Sequence, residues 1–458
     1  MTYSDQQLDE LVQDTKVHRS VYTDQAIFDL EMERIWGKSW IFIGHESQVP
    51  EAGNYLSMDF ANKPIVMVRD KDDSVHVLHN RCGHKGAKLV QKPCGKNARF
   101  TCSYHGWTYK LNGQLVGVPY QKGYECTGFD KTAAEYSMQP FRAELFRGFV
   151  FATLDPDIVD LKTWLGGSAV TINNLCDRAP EGEVEAAGGV LKFEHDCNWK
   201  LFIENLNDTM HPMVVHKSVV DSANQYIANL PEDSPNRIEA EIIPPFGASY
   251  EIYEDTGITG FDYGHHFDGG ETSIHADYSV DPQYRAAMVA SYGEKRTDEI
   301  LGYNSHNTLY YPSVTFKSAV QNIRVVRPIS VDKTIIETYS FKLKGAPESM
   351  FQRTLLYSRL INCNGSMVGA DDLAVYTRVQ QGLLSEASDW VEFHRNFGSD
   401  QELGDRRTNV GTSDLDMRTQ FRAWKHYMAG APLAGTPLTD SPVAAAPSSD
   451  SSIQETQL

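Results

Sequence analysis

Residues 79–109 contain two pairs made of one cysteine and one histidine, Cys82-x-His84 and Cys102-x2-His105, separated by the 17 residues 85–101. Gly83, Gly86 and Gly106 let the backbone come close to whatever the pairs hold. Two thiolates and two imidazoles suit either a structural zinc or a two-iron cluster. Three features favour iron. Cys-x-His is tighter than the usual zinc-knuckle spacing. Tyr104 and Trp107 flank the second pair, where they can shield a cluster from water and donate hydrogen bonds. Both pairs fall between short β-type runs, as hairpin tips would. Cys94 lies in the intervening loop and is read as a bystander.

A second group begins at residue 198, NWKLFIENLNDTMHPMVVH, and contains Asp208-x2-His211-x4-His216. It follows a helical pattern with Trp199, Phe202, Ile203 and Leu206 on the inner side. Two residues five apart on a regular helix point about 140° apart. A metal shared by His211 and His216 therefore requires an irregular turn, and Pro212 is placed to supply one. Far downstream, MVGADDLAVYTRVQQGL sets Asp371 and Asp372 in a helical pattern behind Gly365 and Ser366, with Gly369 and Ala370 just before them. Two histidines and one carboxylate form the ligand set of non-haem Fe(II) oxygenases, with coordination positions open to O2. Alone, the histidines read as ordinary polar positions and the two aspartates as a solvated helix face. Together they point to a metal.

The elements that position these groups change character along the chain. Residues 5–36 read as helical. From about Ser39 the period shortens: Trp40–Ile43, Ile65–Arg69 and Val75–Leu78 are β-type runs separated by Gly, Pro, Asn and Asp. This texture runs to Phe149–Leu154 and predicts a small all-β unit. A helical stretch follows over Asp160–Cys176, then a polar connection over Ala179–Gly189. Strands are expected at Ile238–Ile243, Thr308–Phe316, Asn322–Pro328 and Ile335–Leu343, and a long helical pattern from Pro347 to Ser385. This order fits an α+β unit with a large antiparallel sheet covered by helices on one face. Residues 429–458 are rich in Ala, Pro and Ser and contain no Lys or Arg, which predicts a disordered tail.

At 458 residues the chain is long enough for two or three cores. Its 42 basic and 61 acidic residues give a net charge of −19, which argues against phosphate backbones and anionic lipid as partners. No apolar run is long enough to span a membrane, and the polar N-terminus is not a signal peptide. Seven cysteines without a secretory signal predict a reduced, cytoplasmic chain. No Gly-x-Gly-x2-Gly follows a strand, so electrons for an iron site must come from another protein.

The two metal patterns, in this order and at this separation, resemble the large (α) subunit of Rieske non-haem iron aromatic-ring-hydroxylating dioxygenases. Asn198-Trp199-Lys200, Glu204-Asn205 and Gln380-x-Gly382-Leu383 carry the resemblance further, and it covers about residues 30–425. It implies an all-β Rieske domain at 39–155 and a helix-grip (START-like) catalytic domain at 156–428. The helical segment 1–38 would pack on the catalytic domain. It also implies a [2Fe-2S] cluster on Cys82, His84, Cys102 and His105, and Fe(II) on His211, His216 and Asp372. Asp372 is preferred to Asp371 because the family's ligand stands eight positions before the Gln of its Gln-x-Gly-Leu element. By the same resemblance, Asp208 bridges His211 to His105 of a neighbouring subunit. Some members have one more residue between the Glu-Asn pair and this Asp, so no role at the iron is carried over to Asn205.

The implied reaction is cis-dihydroxylation of an aromatic ring by O2. Electrons would come from NADH through a separate reductase or ferredoxin, in a trimer of this chain with or without a small β subunit. Residues 362–376 and 321–330 look closest to members acting on aromatic carboxylates such as benzoate or anthranilate. Arg324 and Arg327 are candidates to hold a carboxylate, with a structural salt bridge as the alternative. His265-His266, His275 and His306 lack a matching acid pattern and read as polar positions, any of which can line a pocket. Two alternatives remain: monooxygenation or O- or N-demethylation on the same scaffold, and a zinc-binding interaction module.

Overall fold

The computed structural model describes residues 3–60, 63–234, 236–275, 278 and 281–431. Three small antiparallel sheets build the first unit. One pairs Val75–His79, Lys63–Arg69, Asn54–Phe60 and Cys94–Lys96 in that order, and a second pairs Leu115–Gly117, Thr108–Tyr109 and Phe100–Thr101. The third pairs Arg142–Phe146, Phe149–Thr153 and Ile41–His45. The strand Lys63–Arg69 is central in its sheet, and Ile65, Val66, Met67 and Val68 are all fully buried. A continuous apolar run is what a strand covered on both faces requires. Tyr55, Val66, Val68, Leu78, Phe100 and Trp107 form this unit's own core around Cys82 and Cys102.

The second unit rests on a nine-stranded antiparallel sheet among the described residues. Its order is Val184–His195, Lys333–Leu343, Asn322–Ser330, Val314–Lys317, Asn304–Tyr310, His266–Gly270, Ile258–Phe261, Arg406–Asn409 and Gln401–Leu403. The helix Trp199–Asn207 lies against the strands Asn304–Tyr310 and Asn322–Ser330, and the helix Met367–Gly382 lies against that helix. The helix Leu415–Ala429 joins the same core through Phe421, Trp424 and Met428. Leu8, Val17, Val21, Tyr22 and Ile27 from the N-terminal segment enter it too.

Several expectations need correction. Residues 5–36 are not helical throughout. Val12–Gln13 and Lys16–His18 form a hairpin between the helices Asp5–Glu10 and Gln25–Arg34, held by pairing with Trp390–Glu392. Ile238–Ile243 is a helical turn rather than a strand, and Ala240, Ile242 and Ile243 are its buried residues. Thr308–Phe316 is two strands with a turn at Pro312, which has no N–H for a ladder. The helical pattern 347–385 divides into Glu348–Tyr357, a π-turn at Ser358–Asn362, and Met367–Gly382. The polar stretch 179–189 runs into the edge strand Val184–His195, whose outer face needs no apolar residues. The expected tail lies outside the described residues apart from Ala429–Ala431, where the helix Leu415–Ala429 ends and Gly430 turns left-handed at φ +70°.

Candidate metal centres

The same turn is built twice around the Cys/His pairs. The Cys82 N–H donates to the Ala87 carbonyl (2.9 Å), and the Gly86 N–H donates to the Cys82 carbonyl (3.0 Å). The Cys102 N–H donates to the Trp107 carbonyl (2.8 Å), and the Gly106 N–H donates to the Cys102 carbonyl (2.9 Å). In each turn the glycine four residues past the cysteine closes the loop with positive φ, +77° at Gly86 and +72° at Gly106. A side chain there would be strained. The two loops face each other, with the His84 and His105 rings 4.6 Å apart.

Both cysteines are buried, whereas His105 is exposed. The His84 ring stacks on Trp107 at 4.8 Å and 8°, and its Nδ1 is buried with no hydrogen-bond partner among the described residues. An orphaned imidazole nitrogen beside two buried thiols is a donor set that a cluster with two sulfur and two nitrogen ligands would satisfy. Trp107 shields the site as expected. Tyr104 does not, being 64 % exposed beside His105. The hydrogen bond to sulfur comes from Tyr109, which sequence reasoning missed. Its hydroxyl accepts from the Gly83 N–H (3.0 Å) and stands 3.1 Å from Cys82 Sγ, so its own proton is free to point at the sulfur.

The second centre hangs from the helix Trp199–Asn207. Asn198 caps it, with its side chain accepting from the Lys200 N–H (3.1 Å). The Asn198 N–H donates to Gln380 Oε1 (2.8 Å), which ties this helix start to the helix carrying Asp372. One face anchors on Glu31, fully buried. It accepts from Lys200 Nζ (2.7 and 2.9 Å), Trp199 Nε1 (2.9 Å) and Trp424 Nε1 (2.7 Å). The helix ends at Asp208. After a bend, Pro212–Val215 forms a single helical turn, and His216 joins it to Lys217–Ala228. The irregularity that the five-residue spacing requires falls at His216 (φ −98°, ψ 9°). Pro212 occupies a first helical position, where its missing N–H costs nothing.

This path brings His211, His216 and Asp372 together, with one ligand atom of each within 4.8 Å of the others. Asp372 Oδ1 stands 3.6 Å from His211 Nε2 and 3.3 Å from His216 Nε2. It is buried with no hydrogen-bond partner among the described residues. Asp371 takes the other side: its Oδ2 is 3.4 Å from His216 Nδ1, which holds Nε2 toward the shared point. Burial lowers the His211 pKa and favours the neutral imidazole that a metal requires. Burial would lower His216 as well, but the Asp372 and Asp371 carboxylates outweigh it and raise the value.

Asp208 Oδ2 lies 3.8 Å from His211 Nδ1, and Arg395 Nη2 donates to its Oδ1 (3.3 Å). Asn205 accepts from Tyr376 Oη (2.8 Å) and lines the cavity beside the trio, as do His275, His306, Lys317 and Arg324. Arg327 does not reach this cavity; it pairs with Glu337 (3.3 Å) and donates to the Phe42 carbonyl (3.1 Å). His265 and His266 are buried against the carbonyls of Trp164 and Gly264.

Residues 39–132 match the Rieske [2Fe-2S] domain, and residues 163–411 match the catalytic domain of the ring-hydroxylating alpha subunit. The chain is 30 % identical over 431 residues to the toluate 1,2-dioxygenase alpha subunit of Pseudomonas putida, covering 90 % of this chain and 91 % of that one. It is 29 % identical over 391 residues to the anthranilate 1,2-dioxygenase large subunit of Acinetobacter baylyi, covering 83 % and 80 %. A solved naphthalene 1,2-dioxygenase with indole bound shares the fold, with a TM-score of 0.76 at 22 % identity over 92 % of this chain and 94 % of that one. The Rieske match sets aside the structural-zinc reading. Twin Cys/His turns, a two-histidine, one-carboxylate trio and these matches place the chain among the α subunits of the Rieske-type ring-hydroxylating dioxygenases, which are oxidoreductases.

Proposed function

We propose that the chain is the terminal oxygenase of a system that adds both atoms of O2 to the ring of an aromatic carboxylate, giving a cis-dihydrodiol. Two electrons from NADH, delivered by a separate reductase or ferredoxin, and two protons complete the balance. Cys82, His84, Cys102 and His105 hold the [2Fe-2S] cluster, and His211, His216 and Asp372 hold Fe(II). When bound, the cluster stores and passes single electrons and the Fe(II) centre activates O2. The chain's own residues do the rest. Asp371 orients His216, and Tyr109 directs a proton at the Cys82 sulfur. Asp208, beside His211 at the mouth of the site, accepts from His105 of a neighbouring copy and links the two imidazoles. That link calls for a ring of copies, which we take to be a trimer, with or without a small β subunit.

The observation that carries this reading is the convergence of His211, His216 and Asp372 beside a cavity in a chain that also builds the twin Cys/His turns. The toluate and anthranilate relatives support the substrate class. Turnover of benzoate under 18O2 with NADH and a reductase tests it. A diol carrying two labelled atoms is expected. A product with one labelled atom would move the chain to the monooxygenases and demethylases.

A further inference from the structure

We propose that Lys317, with Arg324 beside it, seats the substrate's carboxylate and sets a preference for anionic over neutral aromatic rings. This rests on the oxygenase reading above and adds the residues that choose its substrate. Lys317 ends the strand Val314–Lys317, and Arg324 lies on the neighbouring strand, diagonal to it in the register. Both line the cavity that holds His211, His216 and Asp372. Lys317 is only 7 % exposed. Its Nζ donates to Tyr357 Oη (3.1 Å) and sits 5.8 Å from the Phe246 ring and 5.6 Å from the Tyr357 ring. Arg324 Nη2 donates to Asn307 Oδ1 (2.7 Å).

Among the described residues neither cation forms an ion pair. Burial, with Arg324 nearby, pushes the Lys317 pKa well below its ordinary value, and a counter-charge beside it would hold the ammonium. The chain offers few candidates. Asp372 is committed to the metal trio. Asp268, across the Asn304–Tyr310 strand from Lys317, is buried and pairs in register with His306. Burial, with Asp416 and Asp208 nearby, raises its pKa and holds it toward the neutral acid. His275 and His306 carry no negative charge in either state. A ligand carboxylate would supply the charge that keeps Lys317 protonated. Phe246, Ile361 and Val368 line the same cavity and offer an apolar surface to a ring. One carboxylate on Lys317 and Arg324, with its ring among these side chains, would pair both cations and cover the apolar lining.

Calorimetric titration of the anaerobic holoenzyme with benzoate and with neutral benzamide tests this. Benzoate should bind about ten- to a hundredfold more tightly than benzamide, the ratio expected for a charge-assisted hydrogen bond. Lys317→Met should remove most of that ratio and Lys317→Arg should retain most of it, and benzamide binding reports that each variant is folded. Equal affinity for the two ligands, no measurable benzoate binding by the wild type, or an unchanged ratio in Lys317→Met would overturn the proposal. NADH-linked O2 uptake on the same samples separates it from the reading on which it rests. Tight benzoate binding without oxygenation would refute the oxygenase reading and leave the anchor standing. Preferential oxygenation of benzamide would refute the anchor alone.

Discussion

Asp208 occupies the position on which the proposed electron delivery turns. It closes the helix Trp199–Asn207 just before His211, lies 3.8 Å from His211 Nδ1, and keeps its Oδ1 engaged by Arg395. Asp208→Asn preserves the shape and removes the charge that would accept from two imidazoles. Both metals should still bind, because none of their proposed ligands changes, and product formation should fall by at least about tenfold. Near-normal turnover with full metal content would end the bridging role. The proposed metal donors were legible in the sequence because their residue types and spacings are rare in combination. Their supports were harder to read. Tyr109 sits in a strand after the second loop, and Asp371 is adjacent to the stronger candidate. Lys317 reads as an ordinary strand lysine, since only the fold brings it to the cavity.

The helix Trp199–Asn207 is fixed at its start by Asn198 and Gln380, and along its length by Glu31. Lys200 and Glu31 are both fully buried, so their ion pair sits where removing one partner strands the other. Lys200→Met should therefore destabilise the fold by about 3–5 kcal/mol. Adding Glu31→Gln should restore part of the loss, because the uncompensated carboxylate disappears. Denaturant unfolding of the single and double variants reads this directly, and a double variant no more stable than the single would contradict it. At this scale the sequence was a good guide wherever one face alone is buried, as in the inward pattern of Trp199, Phe202, Ile203 and Leu206. It failed where long-range pairing overrides local pattern. The hairpin at residues 12–18 exists because Trp390–Glu392 pairs with it, and the edge strand Val184–His195 looks like a loop because its exposed face is polar.

Across the molecule, several histidines are buried in their neutral form. Burial lowers His45, His195 and His266 from 6.5 to about 4. Between those values the unfolded chain binds protons that the folded chain refuses. The histidines' contribution to stability is therefore complete above pH 6.5 and is lost as pH falls toward 4, at about 1.4 kcal/mol per pH unit for each histidine. Glu204 acts in the opposite direction. Burial raises it from 4.5 to about 8, so its contribution to stability falls as pH rises through that window. Thermal unfolding followed from pH 7 to 4 should show a steep fall in Tm, and a flat profile would count against the neutral burial of these rings. The two-unit organisation rests above all on a single chain carrying both kinds of iron site, and metal content measures that directly. Anaerobically reconstituted protein should contain about three irons and two acid-labile sulfides per chain. His211→Ala with His216→Ala should remove about one iron and leave the sulfide and visible colour intact. Sulfide-free, colourless protein with one zinc, or a double variant that keeps all its iron, would contradict the account.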